Sequence, residues 1–80
     1  MSFSVYIVEC RGGSLYTGYA VDVEKRVREH NEGDRGARYT KSRRPVKLVY
    51  SEKLESKSKA MKREAQIKKL SRGEKIRLVG

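Results

Sequence analysis

The sequence predicts an α+β fold: a three-stranded, mainly antiparallel sheet flanked by helices, in the order β-β-α-β-α plus a short C-terminal turn of helix. Three observations point there. The β-branched and aromatic run Phe3 to Glu9 is followed, across Arg11-Gly12-Gly13, by a second such run, which is the pattern of a hairpin. Apolar residues recur at helical spacing on either side of one further short apolar run, Val46 to Tyr50. Eighty residues supply one core near the lower limit for independent folding. Residues 1–80 are therefore expected to form a single domain, with any site on the face of one sheet or one helix pair.

The first strand covers Phe3 to Glu9 and the second Ser14 to Tyr19. Loop length decides where their tyrosines point, because side-chain facing has a period of two. A two-residue Gly12-Gly13 loop would put Tyr6 and Tyr16 on opposite faces. A three-residue loop, Arg11-Gly12-Gly13, pairs Cys10 with Ser14 and Val8 with Tyr16, and both tyrosines then share a face. The odd-length loop is the expectation.

Asp22 suits the N-cap of a helix running to about Asn31 and closed by Gly33. Val23 and Val27 define its apolar stripe, His30 lies on that stripe, and Arg26 lies at its edge one turn earlier. A histidine so placed is either a packed core residue or part of a site. The neighbouring arginine favours a site, since burying its head is costly without an anion. Residues 32–45 are expected to be a long loop. Its five basic residues, Arg35, Arg38, Lys41, Arg43 and Arg44, with Tyr39 among them, suit phosphate contacts and base stacking. Val46 to Tyr50 is the third strand, with Pro45 acceptable at its start.

The second long helix is expected from Ser56 or Ser58 to Leu70, with Ala60, Met61, Ala65, Ile67 and Leu70 on its apolar arc. Glu64 falls about 40° from Ala60 on a helical wheel, inside that arc. A carboxylate facing a core is costly unless cations or donors meet it. Lys68, one turn on, gives a structural ion pair; a bound metal ion is the alternative. Ser71-Arg72-Gly73-Glu74 has the look of a break before a last turn, Lys75 to Leu78, whose Ile76 and Leu78 would cap the core.

Lys and Arg number 20 against 10 acids, a net charge of +10. Residues 1–31 hold four basic side chains (Arg11, Lys25, Arg26, Arg28) and four acidic ones (Glu9, Asp22, Glu24, Glu29), so the whole surplus lies in residues 32–80. A phosphate backbone is the usual partner of such a surface. A single cysteine, Cys10, excludes a disulfide framework and a zinc quartet, and fits a reducing, cytoplasmic compartment. There is no signal-peptide pattern and no run long enough to span a bilayer. No membrane role and no obligate protein partner are expected.

The candidate polar set is Tyr6, Tyr16, Arg26, His30 and Glu64. It contains no Ser-His-acid arrangement, P-loop or histidine cluster. One carboxylate, one arginine and several hydroxyl or imidazole groups suit phosphodiester hydrolysis. Glu64 and waters would hold one Mg²⁺ (or Mn²⁺) that polarises the phosphoryl oxygen. Arg26 would balance charge building on phosphorus, and a tyrosine or His30 would draw a proton from water.

Over essentially its whole length the chain resembles the GIY-YIG nuclease superfamily, in its small stand-alone branch. Ser4-Val5-Tyr6 stands at the first signature triplet and Tyr16-Thr17-Gly18 at the second. Arg26 and His30 follow Tyr16 in the family's order. Gly36-Ala37-Arg38-Tyr39-Thr40 and Lys62-Arg63-Glu64-Ala65-Gln66-Ile67-Lys68-Lys69-Leu70 resemble the branch's loop and helix motifs. Each triplet is a weak signal singly; the ordered set is specific. The chain departs from the pattern at Ser4, at Thr17 and in lacking a late asparagine, its last being Asn31.

The resemblance implies a general-base role for Tyr6, with Tyr16 and His30 supporting proton transfer and water positioning. It also implies transition-state binding for Arg26 and metal binding for Glu64. The expected activity is a divalent-metal-dependent endonuclease on DNA, structure- or single-strand-directed and of low sequence specificity. Arg35, Arg38, Tyr39, Lys41, Arg43, Arg44 and Lys68 are the expected nucleic-acid contacts. The competing reading is a non-catalytic DNA- or RNA-binding protein on the same fold.

Overall fold

A computed structural model describes residues 2–33 and 38–80. Strand β1 (Phe3–Glu9) lies at the centre of an antiparallel sheet of order β2-β1-β3, between β2 (Leu15–Ala20) and β3 (Lys47–Leu54). The central strand takes the most apolar run in the chain because both of its faces are covered. Val5 and Ile7 are buried on one side, Tyr6, Val8 and Cys10 on the other.

The hairpin has the three-residue loop. The Cys10 amide donates to Ser14 at 2.7 Å, the Gly13 amide returns to Cys10 at 2.9 Å, and Val8 faces Tyr16. Gly12 and Gly13 both sit at positive φ, 95° and 96°, where any side chain would be strained. Tyr6 and Tyr16 therefore share a face, as the register argument requires.

Helix α1 (Val23–Glu32) covers that face. Asp22 caps it by accepting from the Lys25 amide, and Gly33 closes it in an extended conformation. Val23 and Val27 pack with Tyr6, Val8, Cys10 and Val46. Helices α3 (Lys57–Lys68) and α4 (Arg72–Val79) cover the opposite face, with Ala60, Ile67, Leu78 and Val79 against Val5 and Ile7.

Four expectations are corrected. Among its described residues the 32–45 segment contains a helical turn, α2 (Arg38–Lys41), too short to give a periodic signal. Strand β3 continues to Leu54, because pairing with Phe3 to Tyr6 carries the polar residues 51–53 along an edge. The apolar arc of α3 is narrower than expected: Ala60 and Ile67 are buried while Met61 is 48% exposed. The supposed break at 71–74 is a helix start, with Ser71 and Glu74 forming a reciprocal capping box. That makes α4 two turns long, with Ile76 outside the core and Leu78 and Val79 against it.

Candidate active site

The register places Tyr6 opposite Gly18, and the tyrosine ring lies across that glycine. A Cβ at position 18 would come within 2.6 Å of the Tyr6 hydroxyl and 2.8 Å of its ring. Glycine is needed here for space, with no special dihedral involved. Its absent side chain lets the Tyr6 hydroxyl reach out over β2, the edge strand of the sheet.

That hydroxyl meets His30 from α1. Tyr6 Oη and His30 Nε2 are 2.7 Å apart, and His30 Nδ1 is 2.9 Å from Thr40 Oγ1 on α2. All three side chains are essentially solvent-free. Tyr16 completes the enclosure, its ring edge-on to the imidazole at 5.3 Å between centroids. Burial, with Arg26 acting in the same sense, lowers the His30 pKa to about 4. Burial likewise raises Tyr6 to about 12; Tyr16 and Glu64 add to that shift while Arg26, hydrogen-bonded to the phenol, opposes it. At neutral pH both groups are uncharged, a phenol against an imidazole.

Arg26 is half-buried, its Nη1 3.2 Å from Glu29 Oε1. It borders a cleft of about 360 Å³ lined also by Ala20, Val21, Asp22, Lys25 and Glu29. An anion entering that cleft would compete with Glu29 for the guanidinium.

Glu64 comes from the other layer, and helix geometry explains how it still bears on this group. Ala60 and Ile67 face the sheet, and Arg63 and Glu64 flank that line on opposite sides. Arg63 is tied to β3 through Glu52, at 3.2 Å, and Glu52 also accepts from Tyr50 at 2.6 Å. Glu64 is thereby turned toward β2, and its charge is felt at the Tyr6 phenol. Its ion-pair partner among the described residues is Lys68, at 3.7 Å.

The fit to a metal can be tested on this geometry. Among the described residues no three His, Cys, Asp or Glu side chains converge. A metal would have one half-buried carboxylate, loosely paired, and would otherwise keep water or substrate oxygens. Mg²⁺, which sheds water reluctantly and is commonly held by one or two carboxylates, fits such a set; Zn²⁺ does not.

The expected nucleic-acid contacts divide. Arg35 lies outside the described residues; Arg38 and Tyr39 belong to α2, and their side chains are not among those described. Lys41 is exposed. Arg43 is half-buried, with Nη1 3.4 Å from Ser42 Oγ and its carbonyl accepting from the Arg11 amide. Arg44 faces inward: its Nε donates to the carbonyl of His30 and its Nη2 to that of Gly33, closing the end of α1. Lys68 is half-exposed beside Glu64.

Two residues escaped the sequence reading. Thr40 ends the motif Gly36 to Thr40, but nothing in its spacing links it to His30, ten positions earlier. Asn31 grips the start of β3, with Nδ2 to the Val46 carbonyl at 3.0 Å and Oδ1 from the Val46 amide at 2.6 Å. Together with Arg44 it fixes the strap that carries Thr40 to the imidazole.

Residues 2–77 match the family model described as the GIY-YIG catalytic domain. A UPF0213 protein of Syntrophus aciditrophicus is 61% identical over 75 residues, covering 94% of this chain and 86% of the relative. One from Staphylococcus aureus is 60% identical over 78 residues, covering 98% and 94%. The solution NMR structure of a UPF0213 protein from Bacillus halodurans superimposes with a TM-score of 0.63 at 46% identity, over 99% of this chain and 83% of that one. A protein from E. faecalis gives 0.67 at 41% identity over the same shares.

Proposed function

Because the chain belongs to the GIY-YIG catalytic-domain family, we propose that it is a divalent-metal-dependent endonuclease that hydrolyses phosphodiester bonds in DNA, directed by strand structure more than by sequence. The observation that carries this reading is the buried Tyr6–His30–Thr40 chain, with Arg26 and the Glu64 charge on the same phenol. Simple binding of a polyanion needs exposed cations; it gives no reason to bury a histidine in neutral form against a tyrosine.

The proposed roles follow from donor and acceptor accounting. Arg26 donates to the Tyr6 oxygen, so the phenol's hydrogen is directed to His30 Nε2. That requires the imidazole proton on Nδ1, donated to Thr40 Oγ1. When water attacks phosphorus, Tyr6 takes the water's proton as its own passes to His30, so a hydroxyl is joined to phosphorus while the P–O bond to the leaving strand breaks. That strand's oxygen takes a proton from solvent, and the imidazolium afterwards gives its proton back to solvent through Tyr6. Tyr16 holds the imidazole edge and excludes solvent. Arg26 moves from Glu29 to the phosphoryl oxygens as negative charge grows there. Glu64 would hold the metal ion, which supplies Lewis-acid polarisation of the phosphate when bound. Arg38, Tyr39, Lys41 and Arg43, with Arg35 and Lys68, are proposed to guide the substrate backbone.

Glu64→Gln tests the reading. Labelled single-stranded, duplex and flap DNA, with RNA counterparts, are incubated with Mg²⁺ or Mn²⁺. The wild type should cut at least one DNA form, and the variant should lose about 100-fold or more in rate while still binding it. A wild type that binds every substrate and cuts none would leave a nucleic-acid-binding protein on a nuclease fold.

A further inference from the structure

One of the arginines expected to meet phosphate, Arg44, is turned inward, whereas positive charge with no acidic partner among the described residues gathers at a place the sequence did not single out. Arg72 and Lys75, on the first turns of α4, line a cleft of about 220 Å³ with Ser14 and Leu15 at the root of the β1–β2 hairpin. The Arg72 Nη2 lies against the hairpin loop, 3.7 Å from where a Gly13 Cβ would be. Among the described residues no carboxylate lines the cleft. Glu74 is turned away, its Oε1 accepting from the Ser71 amide at 2.9 Å. Glu9 shares the adjoining apolar cleft with Arg72, yet no ion pair joins them. Among the described residues neither Arg72 nor Lys75 has an acidic partner.

The position of this cleft gives it meaning. Ser14 leads directly into the edge strand β2, which carries Gly18, and the Tyr6 hydroxyl sits over Gly18. Four residues of extended chain separate them by about 13 Å, roughly four stacked base steps of 3.4 Å and fewer for a strand pulled out straight. Between them runs the open side of β2, flanked by Tyr16 on one face and the Glu64 flank of α3 on the other. The geometry points to Ser14, Arg72 and Lys75 as a phosphate subsite: a nucleic-acid strand lies along the β2 edge, with the phosphate to be cut at Tyr6 and a backbone phosphate a few nucleotides away held in this cleft. The inference rests on the nuclease reading for which phosphate is cut, but not for whether the cleft binds one.

Binding, measured without divalent metal, therefore tests it apart from catalysis. Fluorescent single strands of two lengths are titrated against wild type, Arg72→Ala/Lys75→Ala, and Lys47→Ala/Lys53→Ala. The last pair removes the same charge from β3, the opposite edge. Strands long enough to span both points should lose about three- to tenfold in affinity in the α4 variant, with the salt slope falling by about 0.7 for each phosphate no longer neutralised. A strand too short to reach should lose much less, and the β3 variant should change little at either length. Arg72→Glu should deepen the loss for long strands only. Equal losses in the α4 and β3 variants, or a loss independent of strand length, would overturn the subsite. If the length-dependent loss appears while the wild type cuts nothing, the subsite stands and the catalytic reading falls.

Discussion

At the residue scale the candidate site depends on two residues to which the proposed reaction assigns no contact with the substrate. Gly18 is the first, because the Tyr6 ring occupies the volume a methyl group would take. Gly18→Ala should displace that ring, with a loss of about 1–3 kcal/mol in urea unfolding as expected for overpacking a tight contact. An unchanged midpoint would mean that the ring does not lie where the register puts it. Thr40 is the second, as a positioning residue for His30. In the proposed relay Thr40→Val removes the acceptor for Nδ1–H, at a cost of about 1–3 kcal/mol, whereas Thr40→Ser keeps it. His30 is the only histidine in the chain, so its ¹⁵N resonances report the tautomer without assignment ambiguity. The wild type and Thr40→Ser should show the proton on Nδ1; Thr40→Val should lose that preference and slow cleavage. Proton on Nε2 in the wild type would reverse the direction of the relay.

At the element scale the strap from α2 to β3 determines whether the site closes. Asn31 and Arg44 are its fasteners, so Arg44→Ala should act on stability more than on binding. Freed carbonyls at the end of α1 cost about 1–3 kcal/mol, while the salt slope of nucleic-acid binding should stay at the wild-type value. A slope that falls by the amount of one phosphate would instead return Arg44 to the interface. Legibility in the sequence follows the same division. Strands β1 and β2, the three-residue loop, the Asp22 cap and the approach of Arg26 and His30 to the sheet were readable, because each rests on a period or a cap set by nearby residues. The α2 turn, the inward face of Arg44 and the Thr40–His30 contact were not, because they arise from a segment folding back across ten or more positions. The capping box at Ser71 was in plain view; Gly73 inside it gave the appearance of a break, and tertiary packing of Leu78 and Val79 overrode that weak local preference.

At the scale of the whole molecule, a small core carries a net charge of +10 and gives part of its interior to a neutral histidine. The pKa of His30 is about 4 in the folded protein against 6.5 as a reference. Above about pH 6.5 both states are uncharged at this residue and its burial is fully tolerated. As pH falls toward 4 the unfolded chain takes up the proton while the folded one does not, so stability declines across that window. The loss from this group is bounded at about 3 kcal/mol, since each pKa unit corresponds to 1.36 kcal/mol, a large share of what a domain this size can have. Carboxylates titrate near the bottom of the same range, so the comparison must be with His30→Gln, which keeps bulk and a polar head but cannot charge. Urea midpoints at several pH values should fall faster for the wild type than for the variant between pH 6.5 and 4. An anion bound at Arg26 should narrow the difference by offsetting the positive field around the imidazole. Parallel curves for the two proteins would mean that His30 binds its proton equally well in the folded and unfolded chain, and would remove the case for an imidazole held neutral by burial against Tyr6.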